Sequence, residues 1–281
     1  MNQRTMAAIN LRAVLRALGT LPALDPTAAA LVQHKPLTIQ FSAAGVASVR
    51  LVLGNGSVQY FAGAGPADMK LAFPAPVMVN KMFDGSGIPI PTKGITKLTY
   101  LTGTFTELTD RLSYFLRPTP DLLRDPEYAR INSILTLHVA AYATAEIGNR
   151  DLKGMAVAKG MRDGAVVLGV NNPQGTSGAG GDTSAETGTK PKHGNAEKLA
   201  LTLAIRDHHM RVIDGDSRTE AGADGRYAYM TFANLEAAGQ VLRGELASYP
   251  AIGRELLYLG GYIPLLDSLN KLLAIVPFYL S

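Results

Sequence analysis

The chain has 281 residues, 47% of them hydrophobic and 18% charged, a balance that supports packed cores and excludes a disordered chain. A net charge of +4, with Lys and Arg scattered and no Trp, gives no footing for a phosphate backbone or stacked bases, so nucleic acid is not an expected partner. The absence of cysteine removes disulfides, thiolate metal sites and cysteine nucleophiles, and it agrees with a cytoplasmic location.

Residues 5–18 place Met6, Leu11, Val14, Leu15 and Leu18 at helical spacing and stop at Gly19. They read as an amphipathic core helix, with a basic helix that touches membrane surfaces as the alternative. Arg12 and Arg16 interrupt the apolar centre that a signal peptide needs. Asp25-Pro26 offers an N-cap and a first-turn proline for a short helix through Val32. Strands are predicted at residues 37–41, 49–53, 58–61 and 69–73, and Gly54-Asn55-Gly56 predicts a tight hairpin turn. Helices follow at 77–83, stopped by Gly85, and around Gly103, where Phe105, Leu108, Leu112 and Phe115 share a face.

Pro118, Pro120 and Pro126 make 117–126 a linker, dividing the chain into a first module at residues 1–120 and a second at 121–281. Beyond it come a helix over 131–147 closed by Gly148, then strands at 155–159, 165–170, 199–205, 210–213 and 227–232. Residues 171–197, rich in Gly, Ser, Thr and Lys, lack the apolar side chains that would offset their ordering entropy and predict a flexible insertion. The end of the chain, 256–280, is apolar and broken by Pro264 and Pro277; no eighteen consecutive apolar residues occur, so no transmembrane segment is expected.

The two halves align in three blocks: 51–60 with 203–212, 68–85 with 227–244, and 101–112 with 259–270. These pair Phe73 with Phe232, Met82 with Val241, Gly85 with Gly244, Gly103 with Gly261 and Leu108 with Leu266. Three blocks in one order predict a duplicated α+β unit of helix, antiparallel strands, then helices on one face of the sheet.

The strand TIQF, the hairpin VRLVLGNGSVQYFAG, the strand ADMKLAF, the helix PAPVMVNKMFDG and the later Gly103 resemble the type-two sterol carrier protein family. RYAYMTFANLEAAGQVLRGEL and YLGGYIPLLDSLNKLL repeat the scheme, so the resemblance spans 36–116 and 199–281. The chain departs from the family where LTGTF and LGGYI replace a lysine-containing turn. The resemblance implies two related modules, each an antiparallel-rich sheet of about five strands covered by helices around an apolar tunnel for acyl chains or sterols. Candidates for the ligand wall are Phe73, Met78, Met82, Phe83, Ile88, Leu98, Leu101 and Phe105 in the first module. In the second they are Met230, Leu235, Leu242, Leu246, Leu256, Ile263 and Leu266. Methionine suits an adaptable wall, while ordinary core packing is the other reading of the same residues.

Catalytic chemistry finds no constellation in the sequence. His208 and His209 are adjacent in a turn and point apart, and Asp214-Gly215-Asp216 lacks the spacing of a calcium loop. The GAG at 63–65 precedes a strand rather than a helix, and neither Ser48 nor Ser113 has the glycines of a nucleophile elbow. Glu146 and Asp151 flank a helix end and read as capping or surface groups. The expectation is a non-enzymatic protein, without metal or cofactor, that binds or carries a lipid-like apolar small molecule. An interaction or scaffold protein with side-chain-filled cavities is the alternative, as is an accessory subunit in lipid metabolism. Transient membrane contact and homo-oligomer formation stay open.

Overall fold

Asn2 starts the first helix: its side chain accepts from the Arg4 and Thr5 amides, two of the donors that a helix start leaves without partners. The computed structural model describes residues 2–172, 199–222 and 224–280. Helix α1 (Gln3–Ile9) continues through a π turn (Asn10–Val14) and a 3-10 turn (Leu15–Gly19), burying Leu11, Leu15 and Leu18 as their spacing predicts. Then come α2 (Leu21–Leu24) and α3 (Pro26–Leu31), the latter capped by the Asp25 carboxylate on the Thr27 and Ala28 amides.

The first sheet holds β1 (Leu37–Ala43), β2 (Val46–Gly54), β3 (Ser57–Ala62), β4 (Met69–Phe73) and β5 (Ile90–Lys93), ordered β3-β2-β1-β4-β5. The β1–β4 pair is parallel and the others antiparallel. Helix α4 (Pro76–Phe83) joins β4 to β5. A 3-10 turn (Ile95–Lys97), α5 (Leu98–Tyr100), a π turn (Leu101–Phe105) and α6 (Thr106–Leu116) complete the first half.

After a 3-10 turn (Leu122–Arg124), the second half opens with α7 (Pro126–Arg150) and α8 (Leu152–Gly160). Its strands are β6 (Gly164–Asn172), β7 (Leu199–Arg206), β8 (His209–Asp214), β9 (Tyr227–Asn234) and β10 (Leu257–Gly261), ordered β10-β9-β6-β7-β8. A 3-10 turn (Arg218–Ala221) precedes β9; α9 (Leu235–Leu242) and α10 (Ser248–Gly253) precede β10; α11 (Ile263–Leu273) and α12 (Pro277–Leu280) end the chain. The protein is thus α+β, with two five-stranded mixed sheets and helices packed on each.

The duplication holds in the register. Ile39 lies between Leu51 and Met69, and Val166 lies between Leu203 and Ala228, the residues that the first two sequence blocks equate. Both hairpins turn on two residues with positive φ: Asn55 and Gly56 in one, Asp207 and His208 in the other. The third block needs correction. Gly103 sits inside a π turn, whereas Gly261 ends β10 at φ +87, and its counterpart is Gly94, which follows β5 at φ +79. A Cβ on Gly94 would meet the Asp68 carbonyl and Met69, and one on Gly261 would meet the Tyr227 carbonyl and Ala228, the aligned pair.

Other expectations fail for local reasons. Residues 155–159 belong to α8 and not to a strand, because Asp151 caps that helix on the Lys153 and Gly154 amides. Gly148 does not close α7, which runs on to Arg150; its missing side chain admits the Met210 sulfur. Strand β6 extends into the predicted insertion as far as Asn172, and the remainder of 171–197 lies outside the described residues. The sequence patterns do not predict strands β5 and β10. The first is the mostly exposed IPTK, which shows no period-two alternation.

Each half has a core, and the long helices belong to both. Tyr128, Ile131, Leu135 and Val139 of α7 pack in the first core, while Ile9 and Ala13 pack in the second. The stretch Ile263–Leu280 has a mean hydropathy of 1.4 and the length of a membrane span. It is divided between α11 and α12, and Leu265, Leu266, Leu269, Leu272, Val276 and Tyr279 are buried in the second core.

Candidate functional site

The predicted wall residues fall into three groups. Phe73, Phe105, Met230, Leu235 and Leu266 are buried among core side chains. Met78, Met82, Phe83, Leu98 and Leu101 lie half-buried against the first core, as do Leu242, Leu246 and Leu256 against the second. Ile88 and Ile263 are largely exposed, at 82% and 63%.

The exposed pair marks one place in each half, the border of the fifth strand. In the first half Ile88, Ile90 and Ile95 stand out around β5. In the second, Tyr249, Ile252, Leu259 and Ile263 do so around β10. Leu259 pairs across the ladder with buried Met230 and so shares its face, yet its edge position leaves it 39% exposed. Ile95 directly follows Gly94 and Ile263 comes two residues after Gly261, so an exposed isoleucine stands just beyond each strand-ending glycine.

A polar cluster occupies the other edge, between β3 and β8, where the first helix meets α7. The Arg16 guanidinium carbon lies 4.9 Å from the Tyr60 ring centroid and 4.0 Å from that of Tyr142. Arg16 Nη2 is 3.6 Å from Asp214, whose carboxylate accepts from the Tyr142 hydroxyl at 2.8 Å. Farther along α7, Glu146 binds Arg12 at 3.1 Å and Arg150 at 2.7 Å. Glu146 is 6% exposed, so the surface reading is wrong for it, whereas Asp151 is the helix cap it was read as.

Burial sets the protonation of this cluster. It pushes Tyr60 up to about 12 against the pull of Arg12 and Arg16, and it raises Tyr142. It lowers His138 and keeps the imidazole neutral, against the attraction of Asp214. A cleft of about 210 Å³ opens here, lined by Arg16, Ala17, Gly19, Thr20, Val58, Tyr60, His138, Tyr142 and Asp214. A second, of about 180 Å³, is lined by Asp163, Arg206, Ala221, Gly222 and Asp224. Neither is lined by a predicted wall residue.

The cluster leaves only a spaced polar pattern in the sequence, with no motif that joins its members. His138, Tyr142, Glu146 and Arg150 recur at every fourth position of α7, and Arg12 and Arg16 repeat that spacing on the first helix. Polar groups that a helix buries find hydrogen-bond or ionic partners. The chain matches no model of a known protein family, and it matches none of the curated proteins with which it was compared.

Proposed function

We propose that the protein binds an apolar, lipid-like molecule along the fifth-strand border of its modules. The observation that carries this reading is an exposed isoleucine within two residues of the glycine that closes each fifth strand, Ile95 at 64% and Ile263 at 63%, in two halves that share few identities. One exposed aliphatic side chain is ordinary, but a group of them at the same edge of each sheet is the kind of patch that takes an apolar partner. Helix α4, with half-buried Met78 and Met82, leads into the loop carrying Ile88 and supplies an adaptable floor. Ten methylenes leaving water gain about 8 kcal/mol before ordering costs, so micromolar binding needs no charged anchor.

The test is organic extraction of the purified chain with mass spectrometry, followed by titration with a fluorescent fatty acid. The double variant Ile95→Asp, Ile263→Asp is expected to bind at least about tenfold more weakly with unchanged circular dichroism, because both side chains are exposed. The competing reading, a scaffold whose interiors are filled, draws on the burial of Phe73, Phe105 and Leu266. It gains if no lipid is extracted and no titration saturates.

A further inference from the structure

We propose that the cleft between β3 and β8 is a binding site for a small oxyanion, a carboxylate or phosphate group held by Arg16 and His138. The site is independent of the apolar border, since β3 and β8 lie at the opposite sheet edges from β5 and β10. Arg16 is placed by two tyrosine rings and by a 3.6 Å approach to Asp214, too long for a hydrogen bond, so its N–H groups make none to the described residues. His138 lines the same cleft, and its ring makes no hydrogen bond to a described residue either. A guanidinium fixed by stacking, beside an imidazole with an open nitrogen, presents N–H donors to one small space. Both have already lost part of their conformational freedom in the folded state.

The charged groups that line the cleft are Arg16 and Asp214, so with His138 neutral the open N–H donors, and not an excess of positive charge, favour an anion. Asp214 is the opposing group, two-thirds exposed at the rim, and it competes with the ligand for Arg16. A volume of about 210 Å³ admits a small organic acid or phosphate.

The experiment is calorimetric titration of the full chain with sodium phosphate and with sodium malonate, each against sodium chloride at equal ionic strength. Saturable binding of either anion above the chloride control is expected, and the tighter one identifies the group. His138→Leu, which breaks no internal hydrogen bond, is expected to weaken binding by about tenfold. Asp214→Asn keeps an acceptor for Tyr142 and is expected to tighten it. No saturable binding of either anion, or wild-type binding by His138→Leu, overturns the proposal. Where His138→Leu does not fold, Asp214→Asn decides: tighter binding supports the site, and unchanged or weaker binding overturns it.

Discussion

Asp25 is 4% exposed and still ionised, because three groups hold its charge. Burial pushes its carboxyl up, but the hydrogen bonds and charge of Arg111, at 2.9 and 3.0 Å, and the amides of Ala28 and Thr27 outweigh that and hold it below 3.8. Asp151 stands in the same place before α8, where the Tyr279 hydroxyl, at 2.6 Å, does the work of Arg111. In each half a helix near the end of the module is thereby tied to the cap that precedes the sheet. Arg111→Leu is expected to cost about 2 kcal/mol, less than for a fully buried pair because Arg111 is a third exposed. The carboxyl is lowered in the folded state, so its contribution is full above pH 3.8 and is lost as pH falls through the folded value. Urea midpoints at pH 7 and pH 3 measure this: the gap between wild type and variant narrows in acid, and a constant gap would refute the assignment. Asp25-Pro26 was legible as a helix start, whereas Arg111 was not legible as its partner, since no local pattern joins residues 86 apart.

At the scale of elements, the glycines that end β5 and β10 show how a repeat is misread. Gly103 matched Gly261 by position in an apolar segment, but the demand for glycine comes from a neighbouring strand. Gly94 and Gly261 have positive φ and lie against the backbone of the strand parallel to β1 or β6, while a Cβ on Gly103 would meet nothing within 4 Å. Gly94→Ala is therefore expected to cost about 2 kcal/mol, from left-handed strain plus displacement of β4. Gly103→Ala in its helical segment is expected to stabilise by up to about 1 kcal/mol. Thermal unfolding of the two variants orders them, and a reversed order would restore Gly103 as the structural match.

For the whole molecule, the question is whether the halves stand alone. Cut at residue 120, the first half loses Tyr128, Ile131, Leu135 and Val139 from its core. At about 1.5–3 kcal/mol for each large apolar side chain, that loss is comparable to the whole of the 5–15 kcal/mol by which a domain is stable. Asn132 of α7 also binds the Phe115 carbonyl at 2.7 Å and accepts from Arg243 at 2.8 Å, joining the halves through polar groups. A fragment of residues 1–120 is expected to lack a cooperative unfolding transition by itself, and to regain one as a 1:1 complex with residues 121–281. Circular dichroism and sedimentation of the separate and mixed fragments test this; a cooperatively folded 1–120 monomer would show that the shared helix is dispensable.

Short-range chemistry decided much of this protein in the sequence. Asn55-Gly56 turns the hairpin, apolar alternation places β1, β2 and β4, and the same rhythm carried β4 and α4 onto β9 and α9 residue by residue. The tertiary structure alone decided the fifth strands, which are short edges defined by their pairing with β4 and β9 and not by a pattern of their own. It alone also assembled the polar cleft. Arg16, Tyr60, His138 and Asp214 each read as ordinary polar residues in the sequence, and only the docking of the first helix against α7, with β3 and β8 beside them, brings them together. A strand edge and an ion cluster lining a cleft are both relations between distant segments, and local sequence patterns encode only their separate halves.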